Sequence, residues 1–298
     1  MYETLRHHAV RLKVHAGWFV RDLFPHRKVV REVLGVDLTL PWSHRLPDFI
    51  SPYGENLVDL ARELAEADGE QLTLIDVGAN VGDSTKQVLH ACDARAICVE
   101  ADPYYLEYLH LNVGSDPRVT IVEALLSPEE STAATTAVRV GGTTRFEEGE
   151  VGDALASVSP AALRAGNPGF ARLRLIKSDT DGYDVLLVPA LVEAWADSPT
   201  RPALFFEYDH ILTRKVGNDP LAVWPRLEAL GYRDIGVWDN GGHLVGRTTV
   251  SEIAAKAVVL DEVWGKLNHP YWDVAVIHAD DAAGQVALER IAPAAQPL

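Results

Sequence analysis

Asp76, Gly78, Gly82 and Glu100 stand at spacings that can hold a nucleotide-like ligand. In LTLIDVGANVGDST, Leu72 to Thr85, apolar and β-branched residues lead to Asp76, a turn carries Gly78 and Gly82, and a helix opens at Asp83 and Ser84. About twenty residues on, AICVE closes a second apolar run on Glu100. In a βαβ unit such glycines let the backbone approach a ligand, and the second acid grips ribose hydroxyls. Asn80 occupies the place of the glycine that makes room for a pyrophosphate in dinucleotide fingerprints, and Asp76 would repel phosphate. Both favour a ligand with an ammonium or sulfonium group. S-adenosylmethionine has both, and the helix N-terminus beyond Gly82 would receive its carboxylate.

A second group of reactive side chains lies further on. LRLIKSDTDGYD, Leu173 to Asp184, sets Lys177, Asp179, Asp181 and Gly182 at the end of an apolar run, and ALFFEYDH ends in Glu207, Asp209 and His210. In open α/β sheets ligands bind outside the carboxyl ends of the strands. Methyl transfer from a sulfonium is an in-line displacement, and a hydroxyl acceptor needs a base within hydrogen-bond reach. His210 suits that role with an unperturbed pKa of about 6.5. Asp179 is a candidate base, a residue that orients a histidine, or a metal ligand. Asp179 with Glu207 or Asp209 would suit Mg²⁺, which would acidify the acceptor hydroxyl itself. Lys177 is expected to pair with a neighbouring carboxylate. Trp224, Trp238, Tyr183 and Tyr208 are candidates for stacking on a sugar face or for the core.

The elements that must position these residues follow from patterning. Strands are predicted at 72–77, 96–100, 118–123, 172–178 and 202–208, and helices at 55–67, 83–92, 103–112, 183–196 and 220–230. Such alternation predicts a parallel sheet covered on both faces. DIGVWDNGGHLV reads as a hairpin, because Asp239-Asn240-Gly241-Gly242 tolerate positive φ. A helix at 251–266, a final strand near Trp272–His278 and a frayed tail, Ala292–Leu298, complete the chain. Five parallel strands closed by an antiparallel pair give the seven-stranded, Rossmann-like sheet of a class I methyltransferase, spanning 71–290. The interval 128–171 is too long for a simple connection and is expected to carry a lid or substrate loop.

The first 70 residues are expected to form a helical extension. In the first 35, Arg6, Arg11, Lys13, Arg21, Arg27, Lys28 and Arg31 outnumber Glu3, Asp22 and Glu32, while Val10, Val14, Trp18, Phe19 and Leu23 fall near helical spacing. The expectation is a helix packed on the domain or across a homo-oligomer interface, the alternative being an anionic surface.

With 298 residues the chain can bury a large core, and its 47% hydrophobic and 23% charged content is ordinary for a globular protein. A net charge of −16 argues against nucleic-acid binding, which needs clustered Lys and Arg in excess. Cys92 and Cys98 have neither zinc-ligand nor disulfide spacing. No apolar run approaches the roughly 18 residues of a membrane span, and no secretory h-region opens the chain, so a cytoplasmic location is expected.

LIDVGANVGDST, the Glu100-Ala101-Asp102-Pro103 strand end, VEALLS from Val122 to Ser127, and LIKSDTDGYD together resemble the FkbM-type S-adenosylmethionine-dependent methyltransferases over roughly 51–280. The chain departs from the family pattern at Ser178 and Thr180, usually apolar, and at Asp181, usually Glu. The resemblance implies O-methylation of a hydroxyl on a sugar, glycan or natural product. It implies that Asp76, Gly78, Asn80 and Gly82 frame the methionine end of the cofactor, with Glu100 and Asp102 near the ribose and Glu123 and Ala124 at the adenine edge. Asp179, Asp181 and His210 are the catalytic candidates. A nicotinamide-dependent oxidoreductase and a non-catalytic binding subunit are the competing readings. Asp76 and Asn80 count against the first, and the strand-end acids against the second.

Overall fold

The computed structural model describes residues 17–49, 51–128, 135–140, 143–148, 155–263, 269–294 and 296–298. Eight strands form the main sheet: β1 (Leu72–Val77), β2 (Ala94–Glu100), β3 (Val119–Glu123), β4 (Leu175–Ser178), β5 (Ala203–Tyr208), β6 (Tyr232–Asp239), β7 (Leu244–Thr249) and β8 (Trp272–His278). Their order is β7-β6-β8-β5-β4-β1-β2-β3. Pairings from β3 through β5 are parallel, and those of β8 with β5 and β6, and of β6 with β7, are antiparallel. This is the class I methyltransferase arrangement, Rossmann-like, with β7 of the predicted hairpin as an eighth edge strand beyond the expected seven.

Besides the short helix at 17–22, the helices among the described residues are α1 (Glu55–Asp68), α2 (Asp83–Ala91), α3 (Pro103–Val113), α4 (Pro160–Gly166), α5 (Asp184–Ala194), α6 (His210–Lys215), α7 (Val223–Ala229), α8 (Ile253–Lys256) and α9 (Ala282–Ile291). All six residues of β1 are buried, as expected for a parallel strand sandwiched between helices. Ile75, Ile176, Leu204 and Phe206 point to one face and pack with Leu187, Val188 and Leu191 of α5. Leu74, Cys98, Leu175 and Phe205 point to the other, against Leu60 and Leu64 of α1, Val88 of α2 and Leu288 of α9. Alternation then puts Asp76, Lys177, Glu207 and Asp273 on this second face. Lys177 lies in register with Asp76, and Glu207 with Asp273.

The described part of the amino-terminal extension is only partly helical. A helical turn covers 17–22, and the chain then forms a β-hairpin, Lys28–Val33 paired with Val36–Pro41. Leu34 and Gly35 both adopt positive φ, the geometry of the two-residue turn that matches strand twist, and Val29, Val30 and Val33 favour a strand. Val36, Leu38 and Leu40 pack on Val81, Tyr105 and Tyr108. Residues 1–16, which carry part of the basic pattern, lie outside the described residues.

At the other end, the tail expected to fray is tied to β7: Arg247 N–H donates to Gln296 O, and Leu298 N–H to Arg247 O, both at 2.8 Å. The helix expected at 251–266 is shorter, α8 followed by a 3-10 turn at Ala257–Asp261, with 264–268 outside the described residues. Of the interval 128–171, the described parts are a hairpin, Thr135–Val140 with Thr143–Glu148, a short strand at Ser157–Val158, a 3-10 turn at Pro168–Phe170, and α4. Among the described residues no helix is long and apolar enough to cross a membrane.

Candidate functional site

The strand order reverses between β1 and β4, so the crevice of the open sheet lies at their carboxyl ends. Here the Gly78–Gly82 turn leads from β1 into α2. Gly78 has φ +70°, and a Cβ on it would lie 2.0 Å from the Asp179 carbonyl oxygen. Gly82 has φ +81°, and its Cβ would lie 2.8 Å from Leu109. Gly78 is therefore required by the approach of the β4 loop backbone, and Gly82 is favoured by its left-handed φ. Asn80 adopts φ +50°, which Asn tolerates better than most residues.

Asp76 is fully buried. Its Oδ2 accepts from Ser84 Oγ at 2.6 Å and Thr85 Oγ1 at 2.7 Å, and its Oδ1 lies 3.0 Å from Lys177 Nζ. Two hydroxyls thus take up one carboxylate oxygen and Lys177 stands beside the other, so Asp76 anchors α2 and Lys177. Lys177 Nζ also donates to Gly78 O at 3.1 Å and lies 3.9 Å from Asp179 Oδ2. Burial alone would lower the Lys177 pKa, but Asp76 and Asp179 outweigh it and raise it, so the side chain stays an ammonium.

Glu100 ends β2 beside the turn. Its Oε2 accepts from Asn80 N–H at 2.9 Å, while Oε1 accepts from Ala101 and Asp102 N–H at 2.8 and 2.7 Å. Burial raises its pKa against the lowering effect of these bonds. His44, from the amino-terminal extension, reaches the same turn. Leu46 N–H donates to Nδ1 at 3.2 Å, so Nε2 carries the proton and donates to Asn80 Oδ1 at 3.3 Å. Burial lowers the His44 pKa to about 4, which keeps the ring neutral. Asn112 fastens the extension further, bonding both Thr39 N and O and donating to Val81 O at 2.8 Å.

Asp102 caps α3 through Tyr104 N–H and accepts from Arg139 and Thr144 of the 135–148 hairpin. The described part of the long insertion is thereby tied to the carboxyl end of β2. Ala124 is buried, its N–H donating to Glu100 O at 3.0 Å. Glu123 is exposed and lies 2.8 Å from His110 Nε2 on the surface.

On the β4–β5–β8 side the crevice is acidic. The Asp179 side chain is 52% exposed beside Lys177. Asp181 follows with φ +51° and is half-buried. Burial, then Asp179, Asp181 and Asp209, push Glu207 well above the usual carboxylate range. Asp273 is raised to about 7, chiefly by burial, although Asn56 Nδ2 donates to its Oδ2 at 3.0 Å. Asp83, at the start of α2, and Asp184, which accepts from Ser178 Oγ at 2.6 Å, are each raised to about 6, again first by burial. Tyr53 and Tyr271 face these acids: burial and the charges of Asp179, Asp273 and Glu207 raise both phenols well above their ordinary value.

His210 is not part of this crevice. It is 2% exposed, with Nδ1–H donating to Asp261 at 2.7 Å and Nε2 accepting from the Tyr208 hydroxyl at 2.9 Å, which in turn accepts from Trp224 Nε1 at 2.8 Å. Both ring nitrogens are engaged, which removes it as the base. Asp209 caps α6 through Leu212 N–H and pairs with His269 Nε2 at 2.6 Å. The expected metal set of Asp179, Glu207 and Asp209 therefore does not fit, and among the described residues no group of His, Cys, Asp and Glu is arranged to hold a metal ion. Trp224, Trp238 and Tyr208 are core residues, and Tyr183 packs against the core rather than standing free.

The candidates read from the sequence do not include His44, Tyr53, Asn56, Tyr271 or Asp273. An acid inside the apolar run WDVAVIH is a legible signal for Asp273. The others give none, because their roles arise from contacts distant in sequence.

No protein-family model matches the chain, and no curated protein does. Among solved structures the chain is similar to a precorrin-6y C5,15-methyltransferase from Geobacter metallireducens GS-15, at 14% identity over 78% of this chain and 90% of that one, with a TM-score of 0.41. It is also similar to a spermidine synthase from Thermotoga maritima, at 14% identity over 88% and 69%, TM-score 0.43. A third is an O-methyltransferase from Bacillus cereus in complex with SAH, at 12% identity over 76% and 82%, TM-score 0.39.

Proposed function

We propose that the protein is an S-adenosylmethionine-dependent methyltransferase that methylates a hydroxyl of a saccharide or natural product. The observation that carries the reading is the β1 turn at the switch point, with Glu100 ending the neighbouring strand beside it. Glu100 Oε2 accepts a single N–H, from Asn80, which leaves capacity for ribose hydroxyls. The residues at the turn fit a cationic nucleoside better than a pyrophosphate, since Asp83 and Asp179 flank it and the Lys177 ammonium is neutralised by Asp76. The four blocks that resemble the FkbM type favour a hydroxyl as the acceptor.

S-adenosylmethionine would supply a methyl group made electrophilic by its sulfonium. The chain's part is to hold the acceptor oxygen in line and to take its proton. Asp179 suits the second role, because its carboxylate is half exposed at the crevice with the Lys177 ammonium beside it. With His210 engaged elsewhere, the proton passes to this carboxylate. Asp179→Asn is expected to lower turnover by about 10²–10⁴-fold, the usual contribution of a general base, in an assay of labelled methyl transfer. Unchanged turnover would remove Asp179 from the chemistry.

A further inference from the structure

The short helix at 17–22 is fastened to the domain by one side only. Trp18 Nε1 donates to Asp48 at 2.8 Å, Arg21 pairs with the same carboxylate, and the Arg45 guanidinium lies 4.4 Å from the Trp18 ring centroid. Phe19, Val20, Leu23 and Phe24 leave from the other side, each between 46% and 66% exposed. Single exposed apolar residues are ordinary on a protein surface, but four large ones within six positions are not. The stripe runs straight into a cation at Trp42. Phe24 meets that indole at 5.9 Å between ring centroids, and the Arg27 guanidinium stands 4.3 Å from it.

The charge around the stripe is opposite to that of the chain. The first 35 residues hold seven Lys and Arg against three acids, in a chain of net charge −16. Arg27 and Arg31 are exposed and make no ion pair among the described residues. Glu32 and Asp37, the acids of the amino-terminal hairpin, lie opposite each other next to its tip. A two-fold contact between copies would set the stripe against itself and gather the same cations at one interface. Nucleic acid would satisfy the cations but leave the apolar side chains in water. The face of an anionic bilayer answers both features at once, and the acidic body of the protein would be turned away from it.

We propose that the protein docks on an anionic lipid surface through Phe19, Leu23 and Phe24, which enter the headgroup layer, with Arg27 and Arg31 against the lipid phosphates. Trp42 takes the interfacial position that suits an indole, apolar on its ring and polar at its N–H. The segment lies on the bilayer and does not cross it, since among the described residues no helix is long and apolar enough to span one. Docking of this kind is independent of the methyl-transfer reading.

The test sediments the full-length protein with vesicles of phosphatidylcholine alone, or of equal parts phosphatidylcholine and phosphatidylglycerol. The expected result is at least about tenfold tighter binding to the anionic vesicles, the yield of one or two arginines at such a surface, and a weakening of that binding in high salt. Phe19→Ser combined with Leu23→Ser should release the protein from the vesicles with its melting temperature unchanged, because both side chains are exposed. Arg27→Gln combined with Arg31→Gln should lower binding to the level of neutral vesicles. Absence of binding to either vesicle, equal binding to both, or binding that survives in both variants would overturn the proposal. So would a concentration-dependent dimer that the serine variant dissolves while vesicles stay unbound, since the stripe would then be an interface between copies.

Discussion

Asp76 and Lys177 form a buried pair beside the glycine turn. Both side chains are almost wholly buried, and the hydroxyls of Ser84 and Thr85 both bond the carboxylate's Oδ2. Removing one partner of such a pair strands a buried charge. Lys177→Met is expected to cost about 3–5 kcal/mol in urea unfolding, and Asp76→Asn combined with it to recover part of that loss. A single substitution with no effect on the unfolding midpoint would show the pair to be solvated. The acid on the strand was legible in the sequence, but its partner was not, because Lys177 lies about a hundred residues away and meets it only through the β1–β4 register. His210 illustrates the opposite error. Its residue type suggested a base, whereas Asp209 before it is a helix N-cap, a signal that would have placed His210 at the start of α6 with its ring turned toward Tyr208.

Of the structural elements, the amino-terminal hairpin departs furthest from expectation. The extension reaches the glycine turn through His44, just past the hairpin, and through Thr39, which is bonded to Asn112 of α3, so a segment outside the expected domain shapes the candidate cofactor site. His44 holds the Asn80 side chain, and Asn80 N–H holds Glu100, the acid assigned to the ribose. His44→Ala is therefore expected to raise the KM for S-adenosylmethionine by about tenfold with kcat nearly unchanged, and His44→Gln, which keeps a donor near Nε2, to restore much of it. A fall in kcat alone would assign His44 to another step. The apolar spacing at Trp18 and Phe19 agrees with the helix at 17–22, whereas Val29, Val30 and Val33 and the Leu34-Gly35 turn make the following segment a hairpin. The strands of the main sheet were legible to within a few residues because buried parallel strands read as unbroken apolar runs bounded by turns.

Across the molecule, a chain of net charge −16 gathers buried and half-buried acids in one crevice. Asp83 and Asp184, raised to about 6, and Asp273, raised to about 7, bind protons more tightly folded than unfolded, where their ordinary value is 3.8. Their contribution to stability is present in full below about pH 4 and is lost as pH rises through 6 to 7. Asp102 and Asp261, whose pKa values are lowered, act in the opposite sense and lose their contribution as pH falls below 3.8. His44, lowered to about 4, acts in the opposite sense up to about pH 6.5, so the melting temperature of ligand-free protein is expected to fall between about pH 6.5 and pH 8, and Asp273→Asn to flatten that slope; a melting temperature that rises over this interval would contradict it. Composition revealed the excess of acids but not their convergence, which depends on the antiparallel return of β8 beside β5.

Whether the β1 turn and Glu100 bind S-adenosylmethionine is decided by isothermal titration with S-adenosylmethionine, S-adenosylhomocysteine and NAD. Saturable binding of the first two and none of NAD is expected. Glu100→Ala should weaken binding by about tenfold or more, the cost of a hydrogen bond to a charged group. Binding of NAD alone, or of neither S-adenosyl compound, would show that the turn is not a site for this cofactor.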